Sequence, residues 1–434
     1  MFKKLFGTDG IRGKWGEKIT PELAFEIGKA IAIVFERENE KNTILVGKDT
    51  RLSSNILENS LISGITSQGC NVIKLGVVPT AVVPFSIHRL KANGAVMITA
   101  SHNPPEDNGF KFFNGNGFRI SQEQANHVEH IIANCADFAL KPANELGRTY
   151  KTKSSVKDYI KAIQNELKFS KNLKICFDCA NGASSKIIKK IFSGYNSKFL
   201  SSTPNGVNIN QNCGAMELSN LKNYMKTGKY DIGFAFDGDA DRVIVVMKDG
   251  KELSGEEIIY NLTKYNNLKS VVTTKMSNMA LSSQFEKEGI SCIVVDVGEN
   301  NVIEGLLKNR AVFGGENNGH YLLLNYGECS DGILAAAQIL SVLETNKTFS
   351  VPFLPFAKVE KAVRVNNKHM IMESFALKDT IERCESLLAE QGRIFVRASG
   401  TEELIRILVE GENKETVEEL ANIIETEILK LNTI

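Results

Sequence analysis

Gly94-Ala95-Val96-Met97-Ile98 runs directly into Thr99-Ala100-Ser101-His102-Asn103-Pro104-Pro105. The first five residues are an apolar run of strand length, which reads as a buried strand. The two prolines prevent it from continuing. A serine, a histidine and an asparagine therefore leave the end of a core strand together, on a turn that proline stiffens. A hydroxyl fixed in that way suits a nucleophile. A turn rich in Ser and Asn also has this composition for purely local reasons.

Working outward, the same succession of elements occurs three times. Thr43-Ile44-Leu45-Val46 reads as a strand ending in Gly47-Lys48-Asp49, followed by a helix through Ser67, a strand Asn71–Leu75 and the strand at 94–98. Leu173–Asp178 is a strand, Ala183–Ile191 a helix and Lys198-Phe199-Leu200 a strand, and the strand Asp231–Phe236 then opens into Asp237-Gly238-Asp239-Ala240-Asp241. Ser270–Thr274 begins a third copy, with a helix through Lys287, a strand Cys292–Asp296, and Ala311-Val312-Phe313 running into Gly314-Gly315-Glu316-Asn317-Asn318-Gly319-His320. Strands alternating with helices imply βαβ units and mixed or parallel sheets, which bind ligands at the C-terminal ends of their strands. The tail differs: strands at Phe356–Val365, Gly392–Arg397 and Leu404–Glu410, with helices near Ile371–Glu390 and Lys414–Lys430, form an α+β unit after a linker around Pro352 and Pro355. The expected fold class is α/β, with three similar repeat domains (1–147, 148–250, 251–354) and a C-terminal α+β domain (355–434).

The 434 residues suit about this number of domains, and 42% hydrophobic with 24% charged residues is the composition of a globular protein. A formal net charge of +1 argues against a general electrostatic grip on nucleic acid or an anionic membrane. No run is long and apolar enough to span a bilayer, and Met1–Phe6 has no signal-peptide character. Eight irregularly spaced cysteines fit reduced thiols and a cytoplasmic location. Cys176 and Cys179 make a lone C-x-x-C inside an apolar run, which reads as buried small residues rather than a zinc or redox site.

Asp237, Asp239 and Asp241 alternate with small residues, and three carboxylates this close repel unless a cation joins them. Magnesium suits a short carboxylate set that leaves positions for phosphate oxygens. An EF-hand calcium loop is excluded, because Arg242 stands where its glycine belongs and Lys248 where its glutamate belongs. A solvated acidic turn is the competing reading, and Arg242 beside the carboxylates suggests a nearby phosphate. Glu316, Asn317, Asn318 and His320 offer groups suited to sugar hydroxyls, or form a glycine-rich turn. Arg397-Ala398-Ser399-Gly400-Thr401 combines a guanidinium, two hydroxyls and a glycine, a set suited to phosphate. Phe6-Gly7-Thr8-Asp9-Gly10-Ile11-Arg12-Gly13 could bring backbone close to a ligand, with Arg12 as a cation. Lys111, among aromatics in Gly109–Phe112, is either a desolvated proton carrier or a surface lysine on an edge strand. There is no P-loop and no G-x-S-x-G around Ser101.

Four separated motifs resemble the α-D-phosphohexomutase family over essentially the whole chain: Thr99–Pro104, Asp237–Arg242, Gly315–His320 and Arg397–Glu402. The resemblance implies four domains around a central cleft and an intramolecular phosphotransferase of the isomerase class. The implied reaction interconverts glucosamine 6-phosphate and glucosamine 1-phosphate, ahead of UDP-N-acetylglucosamine and peptidoglycan synthesis. It further implies a phosphoserine at Ser101, a sugar bisphosphate as intermediate and activator, and one Mg²⁺ held by Ser101, Asp237, Asp239 and Asp241. His102 and Lys111 would assist proton transfer and Arg12 would steady the phosphoryl group. Arg242, Glu316, Asn318 and His320 would bind the sugar phosphate, and Arg397, Ser399, Gly400 and Thr401 the non-reacting phosphate. The same chemistry on glucose or mannose phosphate is the alternative, followed by a non-catalytic sugar-phosphate-binding protein. Family members include dimers, so a homodimer is open. Asn317 and Asn318 depart from the usual Gln-Ser pair, Ala398 and Glu403 replace usual prolines, and Val297–Val302 lacks a common arginine.

Overall fold

A computed structural model describes residues 5–7, 9–37, 42–134, 138–167, 173–346, 349–388, 392–399 and 402–432. The chain divides into two compact units, Met1–Met276 with Ser291–Ser350, and Ser277–Ile290 with Val351–Ile434.

The first unit holds three sheets. The first contains β1 (Ile11–Lys14), β2 (Thr43–Lys48), β3 (Asn71–Val77), β4 (Gly94–Ile98), β5 (Asp107–Asn114) and β6 (Thr149–Lys151), in the order β1-β5-β4-β2-β3-β6. The second contains β7 (Lys174–Asp178), β8 (Asn196–Leu200), β9 (Ile232–Phe236) and β10 (Val243–Met247), in the order β10-β9-β7-β8. The third contains β11 (Ser270–Thr274), β12 (Ser291–Val295), β13 (Phe313–Gly315) and β14 (Tyr321–Leu323), in the order β12-β11-β13-β14. The wiring is the same each time. In the core that all three share, three strands are parallel and a fourth returns antiparallel beside the third, β5 on β4, β10 on β9, β14 on β13, and the first sheet adds β1 antiparallel to β5 and β6 parallel to β3. The serine loop, the aspartate loop and the Glu316 loop are these three return connections. β6 lies just beyond residue 147 and pairs with β3, so it belongs to the first sheet.

Local sequence explains the supports. Thr20 caps the helix Pro21–Val34 by accepting the Leu23 N–H at 3.2 Å, and Pro21 occupies the first turn, where its missing donor costs nothing. This helix packs on Ser54–Ser67 through two glycines. A Cβ at Gly28 would lie 2.2 Å from the Leu61 carbonyl oxygen, and one at Gly64 2.1 Å from that of Phe25. β4 is buried along its whole length, as its apolar run requires.

The second unit contains an antiparallel sheet of β15 (Ala357–Arg364), β16 (Gly392–Ala398) and β17 (Leu404–Gly411), in the order β15-β17-β16. Ile405, Ile407 and Val409 pack there with Leu420 and Ile424 of the helix Lys414–Asn432. The helix expected over Ile371–Glu390 is instead two, Lys368–Glu373 and Phe375–Leu388. Ser374 takes an extended conformation (φ −61°, ψ 133°) and breaks it, while Asn367 caps the first piece through the Met370 N–H. The segment 277–290 is tied in by Met279 N–H to Glu410 Oε1 at 2.9 Å and by Asn278 to the Phe356 backbone.

Among the described residues seven cysteines are free thiols, and no helix is long and apolar enough to cross a membrane.

Candidate active site

Ser101 sits at the first residue turn after β4 with φ +51°, a left-handed conformation that a non-glycine residue adopts at a cost. The surrounding loop is held in place by buried polar contacts. Thr99 Oγ1 accepts the Ser101 N–H at 2.9 Å and donates to Asp49 Oδ2 at 2.8 Å. Arg51, 1% exposed, spends its guanidinium on Asp49 and on the carbonyls of Ser101, Asn103, Pro104 and Asp107. From the loop that follows β8, Asn210 Nδ2 donates to the carbonyls of Ser101 at 2.8 Å and Asn103 at 2.9 Å. Gly238 is necessary at the contact, because a Cβ there would lie 2.6 Å from the Ser101 carbonyl oxygen.

The hydroxyl of Ser101 donates to Asp237 Oδ2 at 2.6 Å and lies 3.3 Å from His102 Nδ1. Asp237, Asp239 and Asp241 are buried, and ligand atoms from the three lie within 4.8 Å of one another. Lys111 is on β5, an interior strand between β1 and β4, and is wholly buried, so it is no edge-strand surface lysine. Its Nζ donates to Asp239 Oδ2 at 2.7 Å and Asp241 Oδ2 at 2.5 Å. Thr80 Oγ1 donates to Asp239 Oδ2 at 2.5 Å.

The charges remain unbalanced. Burial, then Asp241 and Asp239, pushes the Asp237 carboxyl well above its ordinary range. Burial pushes Asp241 up as well, but Lys111 and His320 outweigh it and hold Asp241 well below that range. Asp239 Oδ1 is buried without a hydrogen-bond partner. Three convergent carboxylates, one with an orphaned oxygen, beside a serine hydroxyl are the all-oxygen donor set that a hard divalent cation takes. The residues present therefore fit Mg²⁺.

Burial, aided by Arg242 and Arg12, lowers His102 to about 4, so its imidazole is neutral at physiological pH. Arg12 pairs with Asp9. Its Nε is buried without a partner. Asp9 also accepts from Arg119 at 2.8 Å and lies 3.7 Å from Lys111 Nζ.

On the third sheet's loop, Glu316 is 3% exposed and both its oxygens are engaged. Oε1 accepts the Gly298 N–H at 3.0 Å, and Oε2 lies 3.1 Å from His320 Nδ1. His320 Nε2 lies 3.3 Å from Asp241 Oδ1. Burial and Arg242 press the imidazole down, but Asp241 and Glu316 lift it to about 9. Arg242 Nε donates to His320 Nε2 at 2.9 Å, which leaves Nδ1 to face Glu316. The Arg242 guanidinium is the positive charge toward which an anion would be drawn here. Asn317 Nδ2 is committed to the Met276 carbonyl at 3.0 Å, whereas Asn318 is exposed.

The first unit thus brings together Ser101, His102, Lys111, Arg12, Asp237, Asp239, Asp241, Arg242, Glu316 and His320. In the second unit, Arg397 is the last residue but one of β16, directly across from Arg406 on β17, and burial followed by Arg406 lowers its pKa. Ser399 is buried, and its Oγ accepts the Glu402 N–H at 3.3 Å. Gly400 and Thr401 lie outside the described residues. Sequence reasoning missed Asp49, Arg51, Thr80, Asn210, Asp9, Arg119 and Glu299 as parts of the site. For the first two, the polar Asp49-Thr50-Arg51 at a strand end was an available signal. Asn210 has no local signal.

Four family models match in succession, described as phosphoglucomutase/phosphomannomutase alpha/beta/alpha domain I (residues 3–137), domain II (157–250), domain III (254–353) and C-terminal domain (360–427). A phosphoglucosamine mutase of Carboxydothermus hydrogenoformans is 39% identical, covering 99% of this chain and 100% of that protein. One of Bacillus pumilus is 37% identical, covering 96% of each. The fold matches a phosphoglucomutase/phosphomannomutase family protein of Burkholderia thailandensis with a TM-score of 0.84 at 21% identity, covering 100% of this chain and 98% of the other. With near-complete coverage by relatives well above 30% identity, and with the four domain models in order, this chain belongs to the phosphoglucomutase/phosphomannomutase family, the α-D-phosphohexomutases.

Proposed function

We propose that this protein interconverts glucosamine 6-phosphate and glucosamine 1-phosphate, acting as an intramolecular phosphotransferase. The carrying observation is the Ser101 hydroxyl 2.6 Å from Asp237 at the edge of a buried carboxylate triplet. The sugar is taken from the phosphoglucosamine mutases to which the chain is similar.

Ser101 is proposed to carry the phosphoryl group as a phosphoserine, first supplied by a sugar bisphosphate activator. The P–O bond to Ser101 Oγ breaks as the free hydroxyl of the substrate forms a new one, giving a bisphosphorylated sugar. The neutral imidazole of His102, 3.3 Å from Ser101 Oγ, takes that hydroxyl's proton and returns one to Ser101 Oγ as its bond to phosphorus breaks, while Lys111 assists as an ammonium that offsets the developing charge. After the bisphosphate turns around, its other phosphate returns to Ser101. Ser101, Asp237, Asp239 and Asp241 would hold Mg²⁺, which when bound offsets charge on the transferring group. The Lys111 ammonium and the Arg12 guanidinium add fixed positive charge beside the reacting oxygens. Arg242 and His320 bind the sugar phosphate, while Glu316 and Asn318 orient sugar hydroxyls, Glu316 by exchanging its present partners for them. Arg397, Ser399, Gly400 and Thr401 are proposed to grip the phosphate that does not react, so that remote binding energy positions the reacting end. The product fits a reaction sequence toward UDP-N-acetylglucosamine in the cytoplasm, and a homodimer is compatible with this reading.

The test is kcat/KM for the monophosphates of glucosamine, glucose, mannose and N-acetylglucosamine, with Mg²⁺ and a hexose bisphosphate. The expected result is a preference for glucosamine phosphate, lost in Ser101→Ala. A preference for glucose or mannose phosphate would overturn the substrate and keep the chemistry.

A further inference from the structure

Arg119 follows β5, its guanidinium 4.8 Å from the Phe113 ring centre. Its side chain is 8% exposed and that of its partner Glu299 is 9% exposed. Nη2 of Arg119 donates to Asp9 Oδ1 at 2.8 Å, and Nε donates to Glu299 Oε2 at 3.0 Å. The other Glu299 oxygen accepts the Ser330 N–H at 2.7 Å. Glu299 opens the helix Glu299–Asn309, and the residue before it, Gly298, donates its N–H to Glu316. Asp9 pairs with Arg12 and faces Lys111. Arg119 therefore reaches the reacting edge of the site through Asp9, and the Glu316 loop through Glu299. His320, bridging Glu316 and Asp241, closes the circuit on the far side, since Asp241 holds Lys111.

A buried ion pair is a poor source of net stability, because desolvating both charges offsets their attraction; fixing one geometry is its better-attested use. We propose that Arg119 and Glu299 are positioning residues, a strap that holds the Arg12–Lys111 edge and the Glu316 loop at one spacing during phosphoryl transfer. The strap deepens the mutase reading, and its kinetic test rests on that reading.

Glu299→Gln keeps the shape and removes the charge, and Arg119→Lys keeps the charge and removes the fork. Each is expected to lower kcat at least tenfold on glucosamine 6-phosphate and to raise KM at least threefold. The double variant should be no worse than the weaker single one. A merely structural role would lower the active fraction and leave KM unchanged, and that result, or effects that multiply in the double variant, would overturn the strap. Calorimetric titration with Mn²⁺ supplies a readout without turnover. In Arg119→Gln, Asp9 loses one cation and draws Lys111 away from Asp239 and Asp241, so Mn²⁺ should bind at least threefold tighter. Unchanged or weaker Mn²⁺ binding overturns the strap, whereas a wild-type protein that turns over no hexose phosphate overturns the mutase reading instead.

Discussion

Arg51 donates to one carboxylate and four carbonyls without reaching solvent, and those carbonyls belong to the loop that carries Ser101. The loop that presents the Ser101 hydroxyl is therefore held by a residue buried away from solvent. Arg51→Met would leave Asp49 buried and uncompensated, a loss on the order of 3–5 kcal/mol. Arg51→Lys retains charge but serves one or two of those acceptors. It should fold, and lose kcat at least tenfold with KM for substrate little changed, measured in steady-state assays. Gly238→Ala should act on the same loop, because its Cβ would meet the Ser101 carbonyl at 2.6 Å. Ser101, Lys111 and the aspartates were legible because each motif sits within a few residues of sequence. Arg51, Asn210 and Arg119 were not, because their partners are carbonyls or charges far along the chain, and a carbonyl leaves no mark in sequence.

Each chemical loop is the connection between a third, parallel strand and a fourth, antiparallel one. The third strands β4, β9 and β13 were legible as short apolar runs before polar loops. The return strands β10 and β14 were not: Val243–Met247 is an apolar run that periodicity leaves undecided, and Tyr321–Leu323 has only three residues. Helices depend on their ends in the same way. Asp331 Oδ1 accepts the N–H groups of Ile333 at 3.0 Å and Leu334 at 3.0 Å, opening the helix Gly332–Asn346, and Tyr159 Oη donates to both its oxygens. Burial outweighs these bonds and raises Asp331 to about 6. A carboxyl whose folded pKa is raised binds its proton more tightly when folded, so its contribution declines as pH rises from about 4 to about 6. Asp331→Asn should remove that decline, flattening the unfolding free energy from denaturant titration across the window by up to about 3 kcal/mol. At the helix pair, Gly28→Ala or Gly64→Ala should destabilise by about 1–3 kcal/mol, read from denaturant unfolding.

At the scale of the whole molecule, three sheets of one wiring place three kinds of chemistry on equivalent loops: a hydroxyl, a carboxylate set and the Glu316–His320 pair. The repeat was legible because the order of strands, helices and polar loops recurs even where identity does not. The corrected tail helix shows the complementary limit, since Ser374 carries no strong breaker signal. If the carboxylate set holds Mg²⁺ as proposed, stability depends on that cation. Chelation with EDTA should abolish turnover, and Mg²⁺ should restore it. Mg²⁺ at about a hundred times its Kd should stabilise the fold by about 2.7 kcal/mol, visible as a rise in Tm that Asp239→Asn removes.

The central claim is that Ser101 Oγ is the atom through which the phosphoryl group passes. The most direct measurement is intact-protein mass after incubation with Mg²⁺ and a hexose bisphosphate, followed by excess hexosamine monophosphate as acceptor. The account predicts one phosphate-sized increment on the wild-type chain, mapped to Ser101, discharged by the acceptor and absent in Ser101→Ala. An unmodified wild-type chain, or an equal increment on Ser101→Ala, would contradict it.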